Sequence, residues 1–253
     1  MLQNIREFIL NIYPTTKLLF ALFLSISVFL IPSYIYAYSF VPILMIIAYL
    51  AGELKGFINQ AIKGLLVFVI LLFIIQSLFY PGNTILWEWG IFSIKKEGID
   101  YSLMLSSRIL AIGASFVLFF LTTEVKDFVY SLEKIGLPSK AAFVMISTLQ
   151  IIPEIKKQSL VIMDAQKTRG VETEGNLFVR AKAFLPTLSP LILSSLASTE
   201  ERAITLESRA FSAPVKKTSL HHIEKTKADT IVRVMLLVLF ILLLVWRVFV
   251  WIS

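Results

Sequence analysis

The chain has 253 residues, of which 57% are hydrophobic, 13% aromatic and only 16% charged, and its net charge is +7. This usage excludes an ordinary soluble domain and predicts an all-α protein integral to a membrane. Cysteine is absent, which excludes disulfides and thiolate metal sites and leaves the compartment open. Arg6, Glu7 and Pro14 interrupt the first apolar run, so we expect no cleavable signal and a retained first span.

Five apolar runs have the length that a helix needs to cross a bilayer, about 17 to 25 residues. They cover residues 16–32, 34–51, 61–80, 101–122 and 231–252. Only the neighbourhood of Pro32 separates the first two runs, which predicts a tight helical hairpin. We therefore divide the chain into a four-span membrane domain at 1–122, a polar insert at 123–230 and a final span at 231–253.

The positions of lysine and arginine predict the orientation, because short cytoplasmic loops accumulate these residues. Basic residues mark one side of the first three spans: Arg6, Lys17, Lys55 and Lys63. The loop at 81–100 then lies outside, where Trp87 and Trp89 would be interfacial anchors. The insert holds 15 of the 24 Lys and Arg residues and falls inside. We predict a multi-pass protein of the prokaryotic cell membrane with a cytoplasmic N-terminus and an external C-terminus.

The first part of the insert has a helical pattern that glycine and proline interrupt. A short helix is predicted after Glu124, and it ends at 136–138. From Ser139 to Gly170 only Pro153 disfavours a helix. Because proline removes one backbone donor and crowds the preceding turn, this stretch predicts one long helix that bends near Pro153.

A second long helix is predicted to begin around Phe178. Pro186 and Pro190 are expected to interrupt it, and it should continue from Leu191 to about Phe211. Apolar and polar residues of this segment fall on separate faces at helical spacing. The helix can therefore pack with one face and present its arginines on another.

Two triplets forty positions apart set an arginine between two small residues near the ends of these helices. The six residues are Thr168, Arg169, Gly170, Ser208, Arg209 and Ala210. A guanidinium has five donors in a planar fork and pairs with carboxylates or exposed carbonyls. A repeated charged motif between membrane segments predicts a docking surface for a soluble partner. The alternative is that Arg169 only interacts with the carbonyls at a helix C-terminus.

Arg108 lies about two turns into the fourth predicted span, where an ionisable group is energetically costly. It either extends toward the outer boundary or takes part in contacts between spans. Ser107, Ala111 and Ser115 recur every four residues beside it, and such small residues allow close helix packing. That packing is either internal or against a membrane partner.

The order of motifs between residues 101 and 211 resembles the transmembrane T component of energy-coupling factor transporters, the EcfT/CbiQ family. The matching strings lie at 108–111, 121–123, 132–138, 152–155, 165–170, 185–186, 188–190 and 207–211. The family's paired Ala-Arg-Gly motifs appear here as Thr-Arg-Gly and Ser-Arg-Ala. Both arginines remain, whereas three of the four flanking positions differ.

The resemblance implies a non-catalytic membrane scaffold that couples two cytoplasmic ABC ATPases to a small membrane subunit, the S subunit, which captures a vitamin or metal ion. The two long helices would be coupling helices whose arginine-bearing ends dock on the two ATPases. The partners implied are therefore these subunits and the lipid bilayer, with no nucleic acid and no cofactor. The transported substrate is not encoded in this chain, because another subunit binds it.

Other functional classes match the sequence less well. Glu200-Glu201 resembles the glutamate pair of some intramembrane proteases, but Thr205 occupies the position that carries their arginine. No phosphate-binding G-x-x-x-x-G-K-[ST] loop is present, so the chain is not expected to be the ATPase. His221-His222 has no nearby ligand cluster, which disfavours a metal site. A stand-alone channel or secondary carrier is the remaining alternative, although such carriers often show an internal repeat of spans, and we find none here.

Overall fold

A computed structural model describes residues 2–82, 84–89, 92–171, 176–215 and 223–252 of the chain. The fold divides into two compact units. We call residues 1–135 and 222–253 the membrane unit, and residues 136–221 the helix-pair unit. The all-α class predicted from composition is confirmed. The division drawn at residues 122 and 230 from sequence alone stays a prediction.

The membrane unit begins with a bent pair of helices, α1 (Leu2–Asn11) and α2 (Pro14–Leu30). The axis turns by 89° between Ile5–Asn11 and Pro14–Leu30. Proline suits the first position of α2, because the amide hydrogen that it lacks would have no partner within the helix. A three-residue turn then leads to α3 (Tyr34–Ala51), which confirms the predicted short connection.

The third span is longer than its apolar run predicts. It consists of α4 (Leu54–Phe57), a π-helical segment (Ile58–Gly64) and α5 (Leu65–Phe79), and it therefore starts before residue 61. The following loop contains an antiparallel hairpin of β1 (Ile85–Trp89) and β2 (Phe92–Lys95), which the sequence analysis did not predict. The side chains of Trp87 and Trp89, predicted as anchors, lie outside the described part of the structure.

Helix α6 (Lys96–Thr122) is the centre of the membrane unit and packs against α2, α3 and α5. It is followed by the predicted short helix α7 (Val125–Glu133), and α10 (Lys227–Ile252) closes the unit. Four described helices are long and apolar enough to span a membrane, or five if the bent α1–α2 pair counts as one span. The predicted count of about five spans is thus confirmed.

The helix-pair unit contains α8 (Ser139–Thr168) and α9 (Leu177–Ser208). The predicted interruption of the second helix is wrong, because α9 runs unbroken through Pro186 and Pro190. These prolines are four residues apart, so the two missing amide hydrogens fall on one side of the helix and the rest of the ladder continues. Helix α9 also ends at Ser208, before the predicted Phe211.

Candidate docking ends of the helix pair

The two arginine triplets form the same structure, the C-terminal cap of a long helix. At the end of α8, the amide of Gly170 donates to Lys167 O at 3.0 Å, and that of Val171 donates to Gln166 O at 3.1 Å. At the end of α9, the amide of Ala210 donates to Glu207 O at 2.9 Å, and that of Phe211 donates to Leu206 O at 2.9 Å. Both pairs of bonds have the pattern of a Schellman motif.

Each residue of the triplet has a distinct part in this cap. The first residue carries a hydroxyl that returns to its own helix: Thr168 Oγ1 donates to Ala165 O at 2.8 Å, and Ser208 Oγ to Thr205 O at 2.9 Å. The arginine is the C-cap residue in both helices. The third residue has left-handed backbone, with φ of 86° at Gly170 and 56° at Ala210. The geometry of the helix end favours glycine at the third position, as at Gly170.

Ala210 departs from the usual cap chemistry. It is the only residue other than glycine with a positive φ in the described ranges. A Cβ in this conformation approaches the following carbonyl oxygen, which costs about 1 kcal/mol. Strained backbone of this kind is found preferentially at functional sites, where the surrounding structure holds it.

Both arginines extend from their caps into solvent. Arg169 and Arg209 are exposed, and neither forms an ion pair within the described part of the chain. Each guanidinium has five donors in a planar fork, which can bind acceptors on another molecule. Carboxylates and exposed carbonyls are the groups that this fork binds best.

Two contacts, one between α8 and α9 and one between α8 and the residues just after α9, show that the helices run antiparallel. Glu154 forms an ion pair with Arg202, and the rings of Phe143 and Phe211 lie 4.8 Å apart between centroids. Arg169 follows Glu154 by fifteen residues in one direction, and Arg209 follows Arg202 by seven in the opposite direction. At 1.5 Å per residue, the two caps are roughly 30 Å apart. The structure thus places the caps at opposite ends of the helix pair.

Comparison with known proteins identifies the family. The model of the family described as cobalt transport protein, CbiQ, matches residues 6–220. The chain belongs to the CbiQ/EcfT family. The energy-coupling factor transporter transmembrane protein EcfT of Acidaminococcus fermentans is 31% identical over 239 residues, which cover 91% of this chain and 89% of that protein. The EcfT of Lacticaseibacillus paracasei is 31% identical over 244 residues, or 92% of each chain.

Membership of the CbiQ/EcfT family confirms the resemblance inferred from the motifs. The chain is a multi-pass membrane protein of a transporter family, as its apolar helices require. The matched region, residues 6–220, includes both caps. The roles of the individual triplet residues stay predictions.

The second group of predicted residues in this CbiQ/EcfT member lies on α6. Ser107, Ala111 and Ser115 are all at most 2% exposed and pack inside the membrane unit. Ser115 Oγ lies 3.5 Å from Ser25 Oγ of α2. Arg108 is half-buried, and its guanidinium lies 5.4 Å from the ring centroid of Phe29 near the end of α2. These positions make the stripe part of the internal packing of the spans.

Sequence reasoning missed a polar joint between the two ends of the membrane unit. The carboxylate of Asp229, 2% exposed, accepts from the amides of Tyr13 at 2.8 Å and Thr226 at 2.8 Å. Arg233 Nε donates to Thr16 Oγ1 at 2.7 Å. The only signal in the sequence is the Thr226-x-x-Asp229 spacing, which is typical of a helix start.

The residues considered for other chemistry do not form a site in the described structure. Glu200 and Glu201 are exposed on α9. Within the described ranges, no group of three or more His, Asp or Glu side chains is placed to hold a metal ion. His221 and His222 lie outside the described residues.

Proposed function

We propose that this chain is the coupling subunit of an energy-coupling factor transporter, and that each capped helix end docks on one of two cytoplasmic ABC ATPases. The observation that supports this most is that the two caps have the same backbone geometry. The same Schellman geometry presents Arg169 and Arg209 outward, about 30 Å apart by helix rise. Two equivalent ends at this separation suit two separate copies of one kind of partner.

The helix pair also carries apolar surface that needs a cover. Side chains on both helices are more than half exposed, among them Val144, Ile152, Val161, Leu193, Leu196 and Ile204. Exposed apolar surface of this extent marks contact with protein or lipid. We assign it to contact with the membrane subunit that captures the vitamin or metal ion and with the bilayer.

The proposed orientation follows from this assignment. The helix-pair unit must be cytoplasmic to reach ATPases, which agrees with the concentration of lysine and arginine between residues 123 and 230. The N-terminus is then inside and the C-terminus outside. Cysteine labelling with an impermeant reagent tests this orientation. A single cysteine introduced at exposed Lys156 should react only after the membrane is permeabilised, and reaction in intact cells would contradict it.

In the proposed mechanism, nucleotide binding moves the two ATPases, and the docked caps transmit this movement to the helix pair. Glu154 and Arg202 lie at the contact between the helices, about 22 Å from Arg169 along α8. A rotation of about 10° at this contact would displace the Arg169 cap by about 4 Å over that length. The chain itself supplies no catalytic group in this mechanism, and ATP hydrolysis belongs to the partners.

Charge reversal at both caps tests the docking role. Arg169→Glu with Arg209→Glu should abolish co-purification of the ATPases, because each carboxylate would then face the acceptors that the arginine binds. The matched control is Lys156→Glu with Lys157→Glu, which makes the same charge change at exposed positions in the middle of α8. Undiminished ATPase yield with the cap variant, or equal loss with the control, would overturn the proposal.

A further inference from the structure

Helices α2 and α10 meet along a seam, and an open groove lies beside it on the surface of the membrane unit. Leu236 of α10 is 6% exposed and fills the seam. The groove has a volume of about 470 Å³ and is walled by apolar side chains, including Leu22 and Ile26 of α2 and Leu237 and Phe240 of α10. We assign the open side of the groove to the bilayer, because α10 is long and apolar enough to span a membrane and α2 is the longer half of a bent span.

Arg233 is the one charged residue that lines this groove. It is half-buried, its Nε donates to Thr16 Oγ1 at 2.7 Å, and its Nη2 donates to Thr15 Oγ1 at 2.6 Å. A guanidinium has five N–H donors, so about three remain after these two bonds. The bonds to the threonines fix the fork in place without neutralising its charge.

No carboxylate neutralises Arg233 within the described structure. Asp229, one helical turn before Arg233, is buried and accepts from two backbone amides. A second cation lies close by, since Arg233 and Lys225 both approach the ring of Tyr13, at 5.5 and 5.3 Å from its centroid. Within the described ranges, the guanidinium at the end of the groove therefore forms no ion pair.

We propose that this groove is a binding site for one anionic phospholipid. An acyl chain would lie along the apolar walls, and the phosphate would accept from the remaining donors of Arg233, with Lys225 nearby. Arginine binds phosphate oxygens bidentately, which makes it suited to this role. A cation at one end of an otherwise apolar groove matches the polarity of a lipid in both charge and direction.

The cavity on the other side of the seam does not offer the same chemistry. It holds about 250 Å³, and its cation is Lys17. The ammonium of Lys17 donates to the backbone carbonyls of Leu10 and Thr122. Two of its three donors are thus engaged, and no planar fork is available for a phosphate.

The lipid occupant accounts for the charge better than a protein helix would. A partner helix filling the groove would have to bring a carboxylate to Arg233 at the membrane boundary, or leave the guanidinium buried and unpaired at high cost. A phosphate supplies the charge together with several acceptors. Both α2 and α10 belong to the membrane unit, so the inference does not depend on the coupling role.

The test uses the purified full-length chain and lipid titrations followed by native mass spectrometry. Phosphatidylglycerol and phosphatidylcholine with identical acyl chains are compared. We expect phosphatidylglycerol to bind at least about tenfold more tightly, because phosphatidylcholine has the same phosphate but its choline cation cancels the net charge and is repelled by Arg233. Arg233→Gln should remove this preference. Arg247→Gln, at the other end of α10, is the matched control and should keep it.

Two further experiments distinguish a lipid site from a simple anion site and from an effect of misfolding in the Arg233 variant. Inorganic phosphate at millimolar concentration should not displace phosphatidylglycerol, because it lacks the acyl chain. Ile26→Trp fills the groove without touching Arg233 and should lower the retention of phosphatidylglycerol about tenfold. Equal binding of the two lipids, a preference that survives Arg233→Gln, or displacement by phosphate alone would each overturn the proposal.

Discussion

The membrane unit and the helix-pair unit are held together by different kinds of contact. In the membrane unit, a buried carboxylate joins α10 to the bend before α2, and buried serines line α6. In the helix-pair unit, α8 meets α9 through an ion pair whose side chains are 44% and 45% exposed, and Phe143 of α8 contacts Phe211, which follows the end of α9. The contrast indicates that the spans form a rigid frame, whereas the helix pair can change its geometry at low cost.

The largest effect is expected at the buried joint of the membrane unit. Asp229→Ala should lower the free energy of unfolding by about 2–4 kcal/mol, because it leaves the buried amide of Tyr13 and the partly buried amide of Thr226 without an acceptor. Chemical denaturation in mild detergent measures this loss. Asp164→Ala changes an exposed carboxylate on α8 and should cost less than about 0.5 kcal/mol. Similar losses at the two sites would break the distinction between the units.

The two helix caps offer a smaller test with opposite signs. Gly170→Ala should destabilise the end of α8 by about 1 kcal/mol, because φ is positive there and a Cβ disfavours that backbone conformation. The added Cβ would meet no atom within 4 Å, so no new contact offsets this cost. Ala210→Gly should stabilise the end of α9 by a similar amount. Amide hydrogen exchange near each cap should change about fivefold in opposite directions. Changes of the same sign would show that the caps are not equivalent.

Local patterns in the sequence predicted more of this molecule than distant contacts did. The spans and the position of Gly170 at a helix end follow from residues within a few turns of one another. The bond from Tyr13 to Asp229 joins positions 216 apart, which periodicity cannot reveal. The continuity of α9 was also missed, because each proline was treated as a separate break although the two share one side of the helix.

The same limit applied to the candidate site. The repeated arginine triplets were visible in the sequence, and so was their place at the ends of long helices. Their opposite directions were not, because these follow from the pairing of Glu154 with Arg202 and of Phe143 with Phe211. Such pairings depend on how two helices pack, and many registers are compatible with the same amphipathic pattern.

The smallest effect is expected for the ion pair between α8 and α9, and it tests whether this contact sets the register of the helix pair. Glu154→Arg or Arg202→Glu alone should cost about 0.2–1 kcal/mol, because an exposed pair contributes little and like charges then face each other. The double reversal restores opposite charges and should recover most of the loss in a double-mutant cycle.

Spin labels near Arg169 and Arg209 distinguish a positional role of this ion pair from a purely energetic one. If the pair selects one register, each single variant should broaden the distance distribution between the caps, and the double reversal should narrow it again. An unchanged distribution in the single variants would mean that apolar packing alone positions the caps. The helix pair would then be as rigid as the spans, and the two units would differ only in how deeply their contacts are buried.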